Sequence, residues 1–384
     1  MTENSALPSY TQNDVKARLL ASGASGTVYA LVMPESENAL KIAMDGCEQA
    51  WEISATMLDV EAQVENLDEM REKNVLSRYR EPWTSKQDAM HEEYFDRWIE
   101  WASPVVSFDE KAFPCRYPTA GASEGIVKVM AEHLARCHQK GTTPYIHIFE
   151  GEYEGFGAFA RGMGITIETH RRENWRELAH LQEGGLFWIS QPSAIDGMVW
   201  EEFDDFCAMM DEHQQGLIDV IPDLSYVGAV AREYGFSLDH RCIPSFLISH
   251  SKPFGGYYNR CGGVFSRHER PTLFGNRWFK NLLSLAWGVE MMKRHSVYDL
   301  PRKYRDIQKE AARIAGAGLA LDLDPADVML LATAKPSGKE DEITESLLRG
   351  SGSEQRIRVC VTPLMSALIN PRYAPGIALP TTET

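Results

Sequence analysis

Between residues 120 and 265 the chain alternates two hydrophobic patterns. Apolar positions spaced by three and four residues predict helices over 124–139, 154–161, 199–215 and 225–234. Short, nearly continuous apolar runs stand between them, at 144–149, 165–168, 186–190, 217–221, 245–249 and 263–265. A strand that is apolar at almost every position is buried on both faces. Helices alternating with such strands predict a mostly parallel sheet covered on both sides. After residue 270 the pattern changes. Helices are expected near 277–295 and 299–317, a sheet-like segment at 327–331, and a half-buried strand at 356–361. Residues 338–352 are charged and rich in glycine and serine, and are read as a helix between loops. Residues 49–73 read as an acidic amphipathic helix, 77–82 as a loop, and the proline-containing tail from Asn370 as loop.

Charge and composition narrow the function. Lysine and arginine total 39 against 55 aspartates and glutamates, a formal net charge of −16. So acidic a chain is a poor binder of nucleic-acid phosphates. No apolar run reaches the length of a membrane span. Seven cysteines, with no CxxC pair, fit reduced thiols. The first residues carry no basic or apolar leader pattern, and the expected compartment is the cytoplasm. His133 and Cys137 lie at helical spacing, but no second pair lies nearby, so no metal site is expected. The run Gly23-Ala-Ser-Gly26-Thr-Val28, followed by Lys41, is similar to a protein-kinase glycine loop and its strand lysine. The HRD, DFG and APE motifs that a kinase also needs do not occur. Residues 1 to about 50 are instead expected to form a β-prone arm.

The densest chemistry lies in Ser249–Gly262. Lys252 follows two small hydroxyl residues, Ser249 and Ser251, and Arg260 stands eight positions further on. A tuned lysine amine forms a Schiff base with a carbonyl. Pyridoxal 5′-phosphate (PLP) offers that carbonyl, and its phosphate needs a cation. Upstream, Asp223 and Tyr226 form a D-x-x-Y at the end of the apolar run 217–221. A buried carboxylate there suits a protonated pyridine nitrogen, and the tyrosine suits the ring's phenolic oxygen. Further upstream, the small-residue turn 119–125 opens a helix. Free backbone N–H groups and the positive end of a helix dipole suit a phosphate, and Ser123 adds a hydroxyl.

In this order, the residues resemble the aspartate-aminotransferase-like, fold type I, PLP enzymes over roughly residues 75–365. The resemblance implies an α/β fold: a mostly parallel seven-stranded-type sheet in a large domain, and a small α+β C-terminal domain. The expected boundaries are 1–84 for an N-terminal arm, 85–270 for the PLP-binding domain and 271–384 for the small domain. By the resemblance, Ala122 and Ser123 grip the phosphate and Tyr153 stacks on the ring. Asp223 and Tyr226 hold the ring nitrogen and oxygen. Ser249 precedes the Schiff-base Lys252, Arg260 is the second phosphate cation, and Tyr79 reaches the phosphate of a neighbouring subunit. The family's usual asparagine beside the ring oxygen falls on Ala194. Tyr226 or Ser193 is left to make that hydrogen bond, and a missing donor would shift the Schiff-base pKa.

The substrate side rests on arginine. A guanidinium meets a carboxylate with two parallel hydrogen bonds. The resemblance places this arginine on a late strand, where Arg358 fits best and Arg356 is the spare. The segment from Arg267 to Lys280 is read as either side-chain recognition or a subunit interface. His147, His170 and His250 are candidates for proton transfer, with His250 nearest Lys252 in sequence. The implied activity is that of an aminotransferase, exchanging an amino acid for a keto acid in a homodimer with shared active sites. Elimination or replacement at the β- or γ-carbon, and decarboxylation, stay open because sequence does not show the geometry at the α-carbon. A non-catalytic PLP sensor is disfavoured by the lack of a basic helix-turn-helix segment.

Overall fold

The computed structural model describes residues 12–43 and 91–374, except 183 and 215, together with residue 377. Seven strands build the larger sheet: β1 (Cys115–Thr119), β2 (Tyr145–Phe149), β3 (Thr166–His170), β4 (Gly185–Ser190), β5 (Ile218–Asp223), β6 (Ser245–Ser249) and β7 (Gly262–Ser266). Their spatial order is β1-β7-β6-β5-β4-β2-β3. Strand β7 is antiparallel to both neighbours, and the other pairings are parallel.

The apolar runs explain this sheet. Every residue of β4 is buried. Leu186 and Trp188 pack on one face with Ile126, Val129 and Phe156, while Phe187 and Ile189 pack on the other with Phe149 and Phe206. The same alternation separates Leu247 from Phe246 and Ile248, and Val264 from Phe265. Fully burying one such side chain contributes roughly 1.5–3 kcal/mol, so a polar residue on either face would be costly.

The helices are α1 (Gln12–Ala21), α2 (Glu92–Ala102), α3 (Ala122–Lys140), α4 (Glu154–Met163), α5 (Phe203–His213), α6 (Leu282–Arg294), α7 (Asp299–Leu319), α8 (Glu342–Glu345) and α9 (Thr362–Ile369). Residues 34–43 are also helical. Gly141 and Gly164 end α3 and α4 in the left-handed conformation that favours glycine. A second, antiparallel sheet has the order β8 (Asp324–Pro325), β9 (Leu331–Ala334), β11 (Arg356–Cys360), β10 (Leu348–Arg349). Ser25 adds a bridge to it by exchanging backbone hydrogen bonds with Cys360. No helix among the described residues is long and apolar enough to cross a membrane.

Several expectations are corrected. The β-prone arm is mainly helical where it is described, and it meets the second sheet through the bridge at Ser25 and the hydrogen bond from the Tyr29 N–H to Cys360 Sγ. No helix forms over 225–234. Asp223 Oδ1 accepts hydrogen bonds from the Ser225 N–H and hydroxyl, and this local bonding competes with helix. Gly228 has φ +81° against the Trp101 ring, where a Cβ would lie 2.3 Å from a ring carbon. The helix expected from 277 starts at Leu282, because the Asn281 side chain caps it by accepting from the Ser284 N–H. The strand expected at 327–331 lies at Leu331–Ala334. Strand β1 escaped notice because Pro118 breaks its pattern. It sits at the sheet edge, where proline is tolerated. The expected helix over 49–73, and Tyr79, lie outside the described residues.

Candidate active site

The carboxyl ends of β4, β5 and β6 open on a cavity of about 210 Å³. Parallel sheets place ligands at these ends. Lys252 follows β6 in a turn shaped by Ser249, whose hydroxyl donates to Ser251 Oγ (3.1 Å) and accepts from the Ser251 N–H (3.3 Å). The lysine Nζ donates to the Val28 carbonyl oxygen at 2.5 Å. Burial lowers its pKa from 10.5 to about 8. Arg260 and Arg358 push the same way, and Cys360 and Asp223 oppose. An amine tuned in this way is a usable base and nucleophile near neutral pH.

Asp223 ends β5, and its carboxyl lines the cavity. Burial raises its pKa to about 6, against the two bonds from Ser225 and the nearby lysine charge. Tyr226 directly follows Ser225 and is buried. Burial pushes its phenol up, so it remains a hydrogen-bond donor.

At the other end of the cavity stand Ala122, Ser123 and Arg260. Gly121 precedes α3 with φ +80°. A Cβ there would lie 2.6 Å from Arg260 Nη2, and one at Gly262 would lie 2.8 Å from the Gly121 Cα. Glycine at both positions lets the turn, β7 and the guanidinium converge. Arg260 donates to the carbonyls of Ala120 (2.6 Å) and Tyr257 (3.1 Å). Tyr153, just before α4, shares a hydrogen bond with Ser123 and turns its ring toward the cavity. Arg358 reaches the cavity from β11. It is 4% exposed, donates to the Ala194 carbonyl, and has a buried Nε with no hydrogen-bond partner among the described residues.

The cavity therefore brings together Ala122, Ser123, Tyr153, Asp223, Tyr226, Ser249, Lys252, Arg260 and Arg358. It does not include two other expected residues. The Ser193 hydroxyl accepts from Arg172 Nη1 (2.9 Å) and the Ile195 N–H (3.1 Å). Arg172 is itself fixed in a buried ion pair with Asp196, and in a second pair with Glu354. Arg356 donates to the carbonyls of Ser353 and Gln355 instead of entering the cavity.

The other candidates have structural roles. Arg267 holds the carbonyls of His240 and Ile243, and Arg270 is buried against Glu132, Ser245 and Ser266. His147 and His170 stack against Phe187, away from the cavity. His250 is boxed by Tyr94, Trp101, Phe254 and Trp287. Burial drops its pKa to about 3, which favours the neutral ring, and it is not among the residues that line the cavity.

Sequence reasoning missed Thr27, Val28, Glu154, Ser190, Ser225 and Tyr257, all of which line the cavity. A glycine-rich turn often marks close backbone approach, and this was the available signal for Thr27 and Val28. Ser190 ends an apolar run, as Asp223 and Ser249 nearly do, and was legible by the same rule.

No protein-family model matches the chain, and no curated protein matches it in sequence. Solved structures do match. Substrate-bound BacF of Bacillus subtilis superposes with a TM-score of 0.58 at 11% identity, covering 92% of this chain and 89% of that one. A PLP-bound C-S lyase of Staphylococcus hominis gives 0.55 at 13% identity over 73% of this chain and 81% of that one. A mutant aspartate aminotransferase of Thermus thermophilus gives 0.53 at 11% identity over 70% and 81%. The chain has the aspartate-aminotransferase-like fold, fold type I.

Proposed function

We propose that this chain is a PLP-dependent enzyme that acts on an amino acid through Lys252, with amino-group transfer to a keto acid as its reaction. One observation carries the reading: Lys252, Asp223, Tyr226, Ser123 and Arg260 line one cavity in a fold type I framework. The residues fit the cofactor. The glycine cradle at Gly121 would be filled by any Cβ, and it sits where α3 offers its free N–H groups to a phosphate. When bound, PLP would offer its aldehyde to Lys252 Nζ and then, in exchange, to the substrate amine, and would supply an electron sink for the pair released when the substrate Cα–H bond breaks.

The chain's own residues do the rest. Arg358, with its unpartnered Nε, holds the substrate carboxylate. Lys252 Nζ takes the α-proton as general base. Asp223 would hold a proton at the heterocycle nitrogen, and Tyr226 would donate to the ring oxygen. Arg260, Ser123 and the N-terminus of α3 would hold the phosphate. Tyr153 would pack against the ring.

Ala194, in place of an asparagine, favours a second reading: elimination or replacement at the β- or γ-carbon. The reading extends to a cytoplasmic homodimer. Six buried free cysteines among the described residues support the compartment. Exposed aromatics, Tyr258 at 90% beside the cavity-lining Tyr257 and Phe279 at 87%, support a covered surface.

The test is borohydride reduction of the purified protein with PLP. The pyridoxyl mass is expected on the Lys252 peptide, and label on another lysine refutes the assignment. A panel of amino acids, followed by assay of keto acid against ammonia and carbon dioxide, separates transfer from elimination and decarboxylation.

A further inference from the structure

Beneath Tyr153 lies a carboxyl group with no role in the scheme above. Glu152 is 5% exposed, and among the described residues no lysine or arginine forms an ion pair with it. A buried carboxyl without a counter-cation is costly unless it is hydrogen-bonded, and such groups cluster at functional sites. Its Oε1 accepts from the Ser190 N–H (3.0 Å). Its Oε2 accepts from the Tyr153 N–H (3.1 Å) and meets the Ser190 hydroxyl at 2.5 Å. Ser190 Oγ also accepts from the Ala194 N–H at 2.8 Å. The serine is therefore held against the position where the framework lacks its asparagine. It lines the cavity, and it pairs in register with Asp223 on the next strand.

Counting hydrogens shows what the pair can do. While Glu152 is ionised, the Ser190 hydrogen points at the carboxylate. When Glu152 is protonated, it donates to Ser190 Oγ. That oxygen then accepts twice, and its own hydrogen is free to face the cavity. Burial raises the Glu152 pKa to about 7, against the bonds from Ser190 and Tyr153 and the more distant charge of Arg172. Asp223, Tyr226, Arg358 and Cys360 are further charged or titratable groups around this corner.

We propose that Ser190, steered by Glu152, is a hydrogen-bond donor to the cofactor's phenolic oxygen alongside Tyr226, replacing the donor that Ala194 cannot provide. This assignment rests on the reading of the chain as a PLP enzyme. Ser190 touches the cofactor, and Glu152 is a positioning residue that acts through it.

The test is the visible-absorbance pH titration of the lysine-bound cofactor, which needs no turnover. A donor to the phenolic oxygen stabilises its anionic form and keeps the titration pKa low. Ser190→Ala is expected to raise that pKa by about 1 to 2 units, since hydrogen bonds to charged groups are worth about 1.5–3 kcal/mol. Ser190→Thr keeps the hydroxyl and should titrate like the wild type. Adding Ala194→Asn to Ser190→Ala should bring the pKa back down. The assignment is overturned if Ser190→Ala titrates like the wild type, or if Ser190→Thr raises the pKa as much as Ser190→Ala does. Absence of the borohydride label from Lys252 in the wild type would defeat the parent reading. A labelled enzyme with an unmoved titration would defeat only this one.

Discussion

The cavity has a floor and a roof, and they are built differently. The floor belongs to the larger sheet, where Ser190, Asp223 and Ser249 end adjacent parallel strands and Lys252 follows in the next turn. The roof comes from far away in sequence. Arg358 stands on an antiparallel strand of the smaller sheet, and the Val28 carbonyl belongs to the segment bridged to that strand at Ser25. Both are packed into the core, the floor between two buried faces and the roof strand through Ile357, Val359 and Cys360; they differ in that the floor residues end neighbouring strands of one sheet while the roof residues reach the cavity from other segments. The expected division of labour is that proton and electron chemistry sits on the floor, and recognition of the substrate carboxylate on the roof.

Four outcomes would sharpen or break that comparison. The largest concerns the floor: Lys252→Ala is expected to cut kcat by roughly 10³- to 10⁴-fold, the scale of a lost general base, while phosphate-anchored PLP still binds weakly. Turnover near the wild-type rate, in an assay following keto acid, would remove the lysine from the scheme. Asp223→Ala should lose about 10²- to 10³-fold in kcat with little change in KM, as expected for a lost charge interaction at the reacting centre. An unchanged kcat would mean the ring nitrogen does not need this carboxyl.

On the roof, Arg358→Lys should behave in the opposite way. A point charge replaces a planar two-pronged donor, and KM for the amino acid should rise about 10- to 100-fold with a smaller effect on kcat. A loss confined to kcat would erase the distinction between floor and roof.

The smallest outcome is a pH effect. The Lys252 pKa is lowered from 10.5 to about 8, and only the neutral amine attacks an aldehyde. Capture of PLP by the apo-protein, followed by absorbance, should therefore speed up about tenfold from pH 7 to 9 and then level off. A rate still climbing toward pH 10.5 would show that burial does not tune this amine.

Much of the floor was legible in the sequence, because its signals are local. The run Leu186–Ile189 lacks polar residues on either face, and a strand buried on both sides must be written that way. The polar residue that ends such a run then stands at the mouth of the sheet. Asp223 was singled out by its D-x-x-Y pattern and Ser249 by its place before Lys252 and Arg260, and their positions at the ends of such runs agree with this rule; Ser190 was overlooked though it obeys the same rule. The roof was less legible. Arg358 and Arg356 lie two residues apart on one strand, and periodicity alone treats them alike. The backbone carbonyls of Ser353 and Gln355 claim Arg356 and leave Arg358 for the cavity.

What the amino-acid order determined by itself is which segments are buried and which chemically able residues stand at their ends. Hydrophobic periodicity and short-range spacing are properties of neighbouring positions, so they survive without a fold. The tertiary structure alone decided which buried polar group meets which. Arg172 takes the Ser193 hydroxyl, aromatic rings isolate His250, and Val28 offers its carbonyl to a lysine 224 positions away. Each of these pairings depends on segments brought together from a distance. A buried donor takes whatever acceptor the packing presents, and no local pattern encodes that choice.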